Sequence, residues 1–200
     1  MSLADKVVLI TGASSGIGES TAWRFAEEGS RIVLVGRRAD RLQKVKDELI
    51  SEYPEVKIHL EAMDVTDYDR VAALPTTLPD DFKDVEILVN NAGLALGLNP
   101  VHENKMEDVK KVIDTNVTGL IAFTTAFTPG MKARGAGHII NMGSIAGRIS
   151  HANASLYCAS KFAVESYTVC SRHDLKGTPI RVTHLAPGMV GNTEFSNVRF

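Results

Sequence analysis

Residues 7–18 read Val7-Val8-Leu9-Ile10-Thr11-Gly12-Ala13-Ser14-Ser15-Gly16-Ile17-Gly18. A short apolar, β-rich run passes through a glycine cluster straight into a helical pattern. Glycines let the chain turn tightly and let its backbone approach a ligand closely. The helix that follows offers free N–H groups and the positive end of its dipole, which suits a pyrophosphate. The spacing is G-x-x-x-G-x-G rather than the common G-x-G-x-x-G. A plain strand-to-helix turn uses glycines too, so the cluster needs its surroundings to be read.

Those surroundings repeat the pattern. β-rich runs fall at Val7–Ile10, Arg31–Val35, Val56–Leu60, Glu86–Asn90, His138–Met142 and Ile180–Leu185. Helical patterns fall between them, at Ile17–Glu28, Ala39–Tyr53, Tyr68–Leu78, Met106–Ala133 and Ala154–Leu175. Pro75 and Pro79 should shorten the third helix, and Pro129 should kink or end the fourth. The β runs are mostly continuously apolar, which suits strands covered on both faces. Strand–helix alternation of this kind predicts a single-domain α/β fold, a doubly wound parallel sheet of Rossmann-like type. Ligands of such a sheet sit beyond the carboxyl ends of the strands, where strand order reverses. The unusual residues gather just there. Thr11-Gly12 follows the first run and Asn90-Asn91-Ala92-Gly93 closes the fourth. Gly143-Ser144 follows the fifth, and Pro187-Gly188 follows the sixth.

Composition excludes other classes. The 200 residues are 44% hydrophobic and 23% charged, as in an ordinary globular chain. A net charge of −2 is a poor match for non-specific nucleic-acid binding or a polybasic membrane contact. No signal-peptide pattern and no membrane-length apolar stretch is present. Two cysteines, Cys158 and Cys170, form no disulfide framework and suit a reducing, cytoplasmic setting. Both are expected to be packing residues. The six histidines (59, 102, 138, 151, 173 and 184) show no metal-ligand spacing and are expected to be structural.

The second β run identifies the nucleotide. It ends Val35-Gly36-Arg37-Arg38, where an NAD site usually carries an acid for the adenosine ribose. With no acid there, an arginine is free to pair with a 2′-phosphate. The expectation is NADP, with Arg37 as main contact and Arg38 beside it. Asp64-Val65 after the third run is expected near the adenine. Ser14, Ser15, Gly16, Ile17 and Gly18 would complete the phosphate turn begun at Gly12.

Tyr157-Cys158-Ala159-Ser160-Lys161 puts Tyr157 and Lys161 at i, i+4 on one helix face. An ammonium close to a phenol favours the phenolate, so the tyrosine can exchange a proton near neutrality. An isolated Y-x-x-x-K is usually an ordinary surface or core pair. Here it stands with a nucleotide turn, a post-strand serine and N-N-A-G. Together these elements resemble the short-chain dehydrogenase/reductase family over essentially the whole chain. The resemblance implies Tyr157 as catalytic acid/base and Ser144 as the group that hydrogen-bonds the reacting oxygen. It implies that Lys161 tunes Tyr157 and holds the nicotinamide ribose, and that Asn116 positions a water linking Lys161 to solvent. Asn90, Asn91, Ala92, Gly93, Pro187, Gly188, Val190 and Thr193 would line the cofactor.

The segment from Pro187 to Phe200 narrows this. Its threonine stands one residue later than in many members, and T-E-F-S-N-V-R-F follows. That looks like the branch of NADP-dependent 3-hydroxy acid dehydrogenases acting on serine or L-allo-threonine. Such a substrate carries a carboxylate, and Arg148 or Arg199 is a candidate partner. The resemblance also implies a homodimer or homotetramer. It implies that residues 1–200 are one NADP-binding domain lacking the usual C-terminal helix and last strand. Two alternatives keep the fold: a carbonyl reductase for other ketones or aldehydes, and a non-catalytic dinucleotide-binding module.

Overall fold

The computed structural model describes residues 2–97 and 99–191. Six strands form one parallel sheet: β1 (Val7–Thr11), β2 (Arg31–Gly36), β3 (Ile58–Ala62), β4 (Val85–Asn90), β5 (Gly137–Met142) and β6 (Ile180–Leu185). Their order is β3-β2-β1-β4-β5-β6, so the strand order reverses between β1 and β4. The connecting helices are α1 (Gly16–Glu27), α2 (Ala39–Glu52), α3 (Tyr68–Thr77), α4 (Met106–Ile113), α5 (Gly119–Arg134) and α6 (Ser155–Asp174).

The unbroken apolar runs have a direct cause. Along β1, Val8 and Ile10 join Ile32, Leu34, Ile87 and Val89 beneath Ala22 and Ala26 of α1 and Leu42, Val45 and Leu49 of α2. Val7 and Leu9 point the other way. They join Val33, Val35 and Leu88 beneath Leu74 of α3 and Phe123, Phe127 and Met131 of α5. Every residue of β1 is buried, as a strand covered on both faces must be.

The structure moves two expected elements. The third strand lies at Ile58–Ala62 rather than 56–60, because its ladder with β2 pairs Ile32 with Ile58 and Gly36 with Ala62. Val56 instead closes a turn, its N–H donating to the Tyr53 carbonyl at 3.0 Å. The helix expected over 106–133 is broken: a wide π-helical turn at Asp114–Thr118 separates α4 from α5. Such turns often mark functional positions, and this one carries Asn116. Pro129 does not end α5, which runs on to a left-handed glycine cap, Gly135 at φ 66°. Pro75 also lies inside its helix, α3, and Pro79 follows it.

Candidate active site

The strand ends build one cleft of about 580 Å³ at the switch point. Its walls include Gly12 and Ser14 to Ile17 from the first turn, and Gly36, Arg37 and Arg38 after β2. Asp64 and Val65 after β3, Asn91 to Leu96 after β4, and Gly143 and Ser144 after β5 continue it. Tyr157 and Lys161 from α6 and Pro187, Gly188, Met189, Val190 and Gly191 after β6 close it. Residues more than 170 positions apart in the chain thus share one wall.

The glycine turn is stitched to the segment after β4. Thr11 Oγ1 accepts from the N–H groups of Asn91 and Ala92, both at 3.0 Å. Asn91 Nδ2 donates back to the carbonyls of Thr11 at 2.9 Å and Gly12 at 3.2 Å. Gly12 sits at φ +66°, and a Cβ there would come within 2.9 Å of Ala92 Cα. Only glycine suits that backbone and that approach. Gly18 does something other than line the cleft. A Cβ on it would lie 2.3 Å from the Gly12 carbonyl oxygen, so its bare face lets α1 pack against the turn.

At the far end of β2, Arg38 Nη2 donates to Ser14 Oγ and Ser15 Oγ, each at 3.1 Å. Arg37 Nη1 lies 3.7 Å from Asp64 Oδ2. Both guanidiniums therefore face the glycine turn or the segment after β3. Arg38, ranked second by sequence, makes the contacts to the phosphate turn.

Asn90 was expected at the cofactor and is not in the cleft wall. It is buried beneath it, and its Nδ2 donates to Thr124 Oγ1 at 3.0 Å and Asn141 Oδ1 at 2.9 Å. Asn141 Nδ2 passes on to Thr168 Oγ1 at 3.0 Å. This ladder ties β4, β5, α5 and α6 together under the site. Sequence reasoning missed Asn141, although an Asn in an otherwise apolar strand end is the visible signal. It also missed Met63, Leu94, Ala95, Leu96, Thr115, Met142 and Met189 in the wall.

The side chains opposite the glycine turn are almost fully buried: Ser144 is 7% exposed, and Tyr157 and Lys161 are 5% each. Ser144 Oγ accepts from the Ala146 N–H at 3.1 Å, which fixes its rotamer at the start of a short 3₁₀ turn. Lys161 Nζ donates to the Met142 carbonyl at 2.7 Å and lies 5.8 Å from the centre of the Tyr157 ring. Burial pushes the Lys161 amine down to about 8, because a low-dielectric setting disfavours the charged form. An amine poised there can gain or lose a proton close to neutrality.

Asn116 lies beside the segment after β4 rather than in the cleft wall. It is buried and does not touch Lys161. Its Oδ1 accepts from the Leu94 N–H at 2.8 Å, while Nδ2 donates to the Leu94 carbonyl at 2.8 Å and Ser160 Oγ at 3.0 Å. Ser160 Oγ in turn donates to the Tyr157 carbonyl at 2.8 Å. The two polar heads meet only across the bare face of Gly93. A Cβ on that residue would lie 3.3 Å from Asn116 Oδ1 and 3.7 Å from Lys161 Nζ.

Arg148 is not in the cleft wall. Its Nε donates to both Glu165 oxygens, at 2.9 and 3.0 Å, on the outside of α6. This pair occupies Arg148, one of the two candidates for a substrate carboxylate, outside the cleft wall. Thr193 and Arg199 lie outside the described residues. Cys158 is buried as expected and packs with Ala95, Ala146, Ala154 and Tyr157, but Cys170 is exposed rather than packed.

Comparison with known proteins agrees with this geometry. The family model described as short chain dehydrogenase matches residues 6–199. The NADP-dependent 3-hydroxy acid dehydrogenase YdfG of Salmonella typhi is 46% identical over 194 residues, covering 97% of this chain and 76% of that protein. The Schizosaccharomyces pombe NADP-dependent 3-hydroxy acid dehydrogenase is 41% identical over 199 residues, 99% of this chain and 76% of the relative. Among solved structures, the closed form of serine dehydrogenase complexed with NADP+ superposes with a TM-score of 0.90 at 44% identity, covering 96% of this chain and 75% of that one. Levodione reductase gives a TM-score of 0.93 at 30% identity, covering 98% and 76%. Matched in sequence and fold over nearly its whole length, this chain belongs to the short chain dehydrogenase family.

Proposed function

We propose that the protein is an NADP-dependent oxidoreductase acting at the 3-hydroxyl or 3-oxo carbon of a small hydroxy acid such as serine or L-allo-threonine. One observation carries the reading. A single cleft joins a glycine turn suited to a pyrophosphate with a buried Ser144–Tyr157–Lys161 cluster. The relatives' names supply the substrate class and the cofactor.

The residues present fit the dinucleotide. Gly12 and Gly93 offer bare backbone to the cleft, and Arg37 and Arg38 stand where an adenosine 2′-phosphate would lie. Ser14 to Ile17, Asp64, Val65, Asn91, Ala92, Pro187, Gly188 and Val190 would complete the holding surface. When bound, the nicotinamide supplies or accepts the hydride. The protein's own residues do the rest. Ser144 Oγ orients the substrate oxygen. Tyr157 takes the hydroxyl proton in oxidation and returns one to the carbonyl oxygen in reduction. Lys161 places a positive charge against the negative charge that develops at the Tyr157 oxygen. Asn116 clamps the segment after β4 against α6 at Ser160, which holds Tyr157 and Gly93 in register. The space at Gly93 is where a water could connect Asn116 Oδ1 with Lys161 Nζ.

A second reading has its own support. Among the described residues of the cleft wall the cations are Arg37, Arg38 and Lys161, and Arg148 is engaged elsewhere. Leu94, Ala95, Leu96 and Met189 make much of the wall apolar, which would also accept a neutral ketone. We further propose a homodimer or homotetramer, since α6 leaves Phe162 and Val169 exposed at 43% and 42%. A cytoplasmic setting would keep Cys158 and Cys170 as free thiols. Residues 1–200 are proposed as one NADP-binding domain. The test is NADP+ reduction with serine, L-allo-threonine and uncarboxylated alcohols, with Tyr157→Phe as control. Turnover confined to the hydroxy acids and lost in the control supports the first reading; equal turnover of plain alcohols selects the second.

A further inference from the structure

His184 stands near the end of β6, paired across the ladder with Asn141 of β5. Asn141 points to Thr168 of α6, so His184 shares the face that α6 covers. Its ring lies hard against Gly143. A Cβ built on Gly143 would fall 2.0 Å from His184 Nε2 and 2.4 Å from Cε1. The imidazole thus fills the space that any side chain at 143 would need. Gly143 opens the turn that presents Ser144. Two backbone bonds pin that turn to the exit of β6: Gly143 N–H to the Leu185 carbonyl at 2.6 Å, and Ile145 N–H to the Pro187 carbonyl at 3.1 Å.

Both ring nitrogens of His184 are buried and make no hydrogen bond among the described residues. A buried polar group without partners is costly, and a buried charge without them far more so. The charges facing the ring do not offset this. Lys161, Glu165 and Arg172 face it from α6, and Arg148 faces it from the turn after β5. The strand beneath offers uncharged Asn141. Glu165 is the strongest of these charges and favours the charged ring, while Arg148, Lys161 and Arg172 oppose it, and burial outweighs them. Burial accordingly holds the His184 ring below the usual histidine range.

We propose that His184 is a positioning residue for Ser144: its neutral ring wedges against the bare face of Gly143 and fixes the turn, and charging the ring releases it. The consequence for turnover rests on the reading of Ser144 given above. The reductive direction isolates it. Tyr157 acts there as an acid, and acid keeps it protonated. A loss of reduction at low pH therefore needs another group.

The experiment compares wild type, His184→Phe and His184→Leu between pH 5.0 and 7.5. It measures kcat and KM for NADPH-dependent reduction of a 3-oxo acid. In cofactor-free protein it measures amide exchange at Gly143 and Ile145, corrected for intrinsic rates. In wild type, kcat and both protection factors should fall by about fivefold or more towards pH 5, with the KM for NADPH within about twofold. In the two non-titrating variants the ratio of kcat at the two pH extremes should lie within about twofold of one. The proposal is overturned by pH-independent protection in wild type, or by the same acid loss in a folded non-titrating variant. Should both variants fail to fold, exchange in wild type decides alone. Protection that falls with acid in a wild type inert towards 3-oxo acids would support the wedge and sink the substrate reading.

Discussion

The two ends of the cleft are built from different materials. At the nucleotide end the wall is largely backbone and exposed guanidinium, much of it from two short stretches, residues 12–17 and 36–38. At the reacting end the working groups are buried side chains delivered by different segments, Ser144 after β5, Tyr157 and Lys161 from α6, and Asn116 from a π-helical turn. The first end can be copied by any chain with a strand, a glycine turn and a helix. The second exists only when the sheet order and α6 are both in place. Binding should therefore survive damage to the reacting end, whereas turnover should not survive damage to either.

Tyr157→Phe is the sharpest way to separate the ends. Loss of a general acid/base should lower kcat by about 10²–10⁴-fold. Fluorescence titration should show NADPH affinity within about threefold of wild type, because the hydroxyl adds one hydrogen bond at most. A comparable loss of affinity would break the comparison.

Arg37→Ala attacks the other end. A charge-assisted hydrogen bond is worth about 1.5–3 kcal/mol, so preference for NADPH over NADH should fall by about ten- to a hundredfold. Arg38→Ala, measured beside it, tells which guanidinium carries the discrimination. The contacts of Arg38 with Ser14 and Ser15 make it the stronger rival.

Lys161 gives the buried end a pH signature. Its folded pKa, about 8, lies below that of an unfolded lysine. Between these values the unfolded chain binds more protons, so stability rises with pH there. The penalty is fully present below pH 8 and gone above the unfolded value. Urea unfolding of cofactor-free wild type against Lys161→Met should show the difference shifting by about 2 kcal/mol in favour of wild type between pH 7.5 and 10. A flat difference would mean that the amine is solvated and the reacting end less dry than its burial indicates.

Gly18→Ala tests whether the nucleotide end depends on packing as well as on backbone. A Cβ 2.3 Å from the Gly12 carbonyl must push α1 away from the turn. Overpacking of this kind costs about 1–3 kcal/mol, read as a lower urea midpoint together with weaker NADPH binding. The smallest effect is expected at Arg148. Because its guanidinium serves Glu165 at the surface, Arg148→Ala should leave the KM for serine within about twofold.

The nucleotide end was legible because its signals are local. A strand, three glycines and two arginines lie within about thirty residues of one another, and each has a backbone or charge reason to be there. The fold class followed from apolar runs that alternate with helical periods, as strands covered on both faces require. The reacting end was legible in its residues but not in their contacts. Tyr157 and Lys161 share a helix face by spacing alone, yet spacing cannot say that Nζ is bonded to the Met142 carbonyl. Asn90 and Asn91 are adjacent and look interchangeable. The pleat sends one beneath the sheet end and the other into the cleft wall.

The sequence by itself determined that this chain makes a parallel doubly wound sheet with a dinucleotide turn and a Tyr–Lys pair, because hydrophobic period, glycine placement and helical spacing are properties of neighbours. Tertiary structure decided which side chains are dry, which cations are already paired and where Asn116 and His184 point. Those depend on contacts between β4, β5, β6 and α6, and the electrostatics of a buried amine or an unpartnered imidazole is set by everything packed around it.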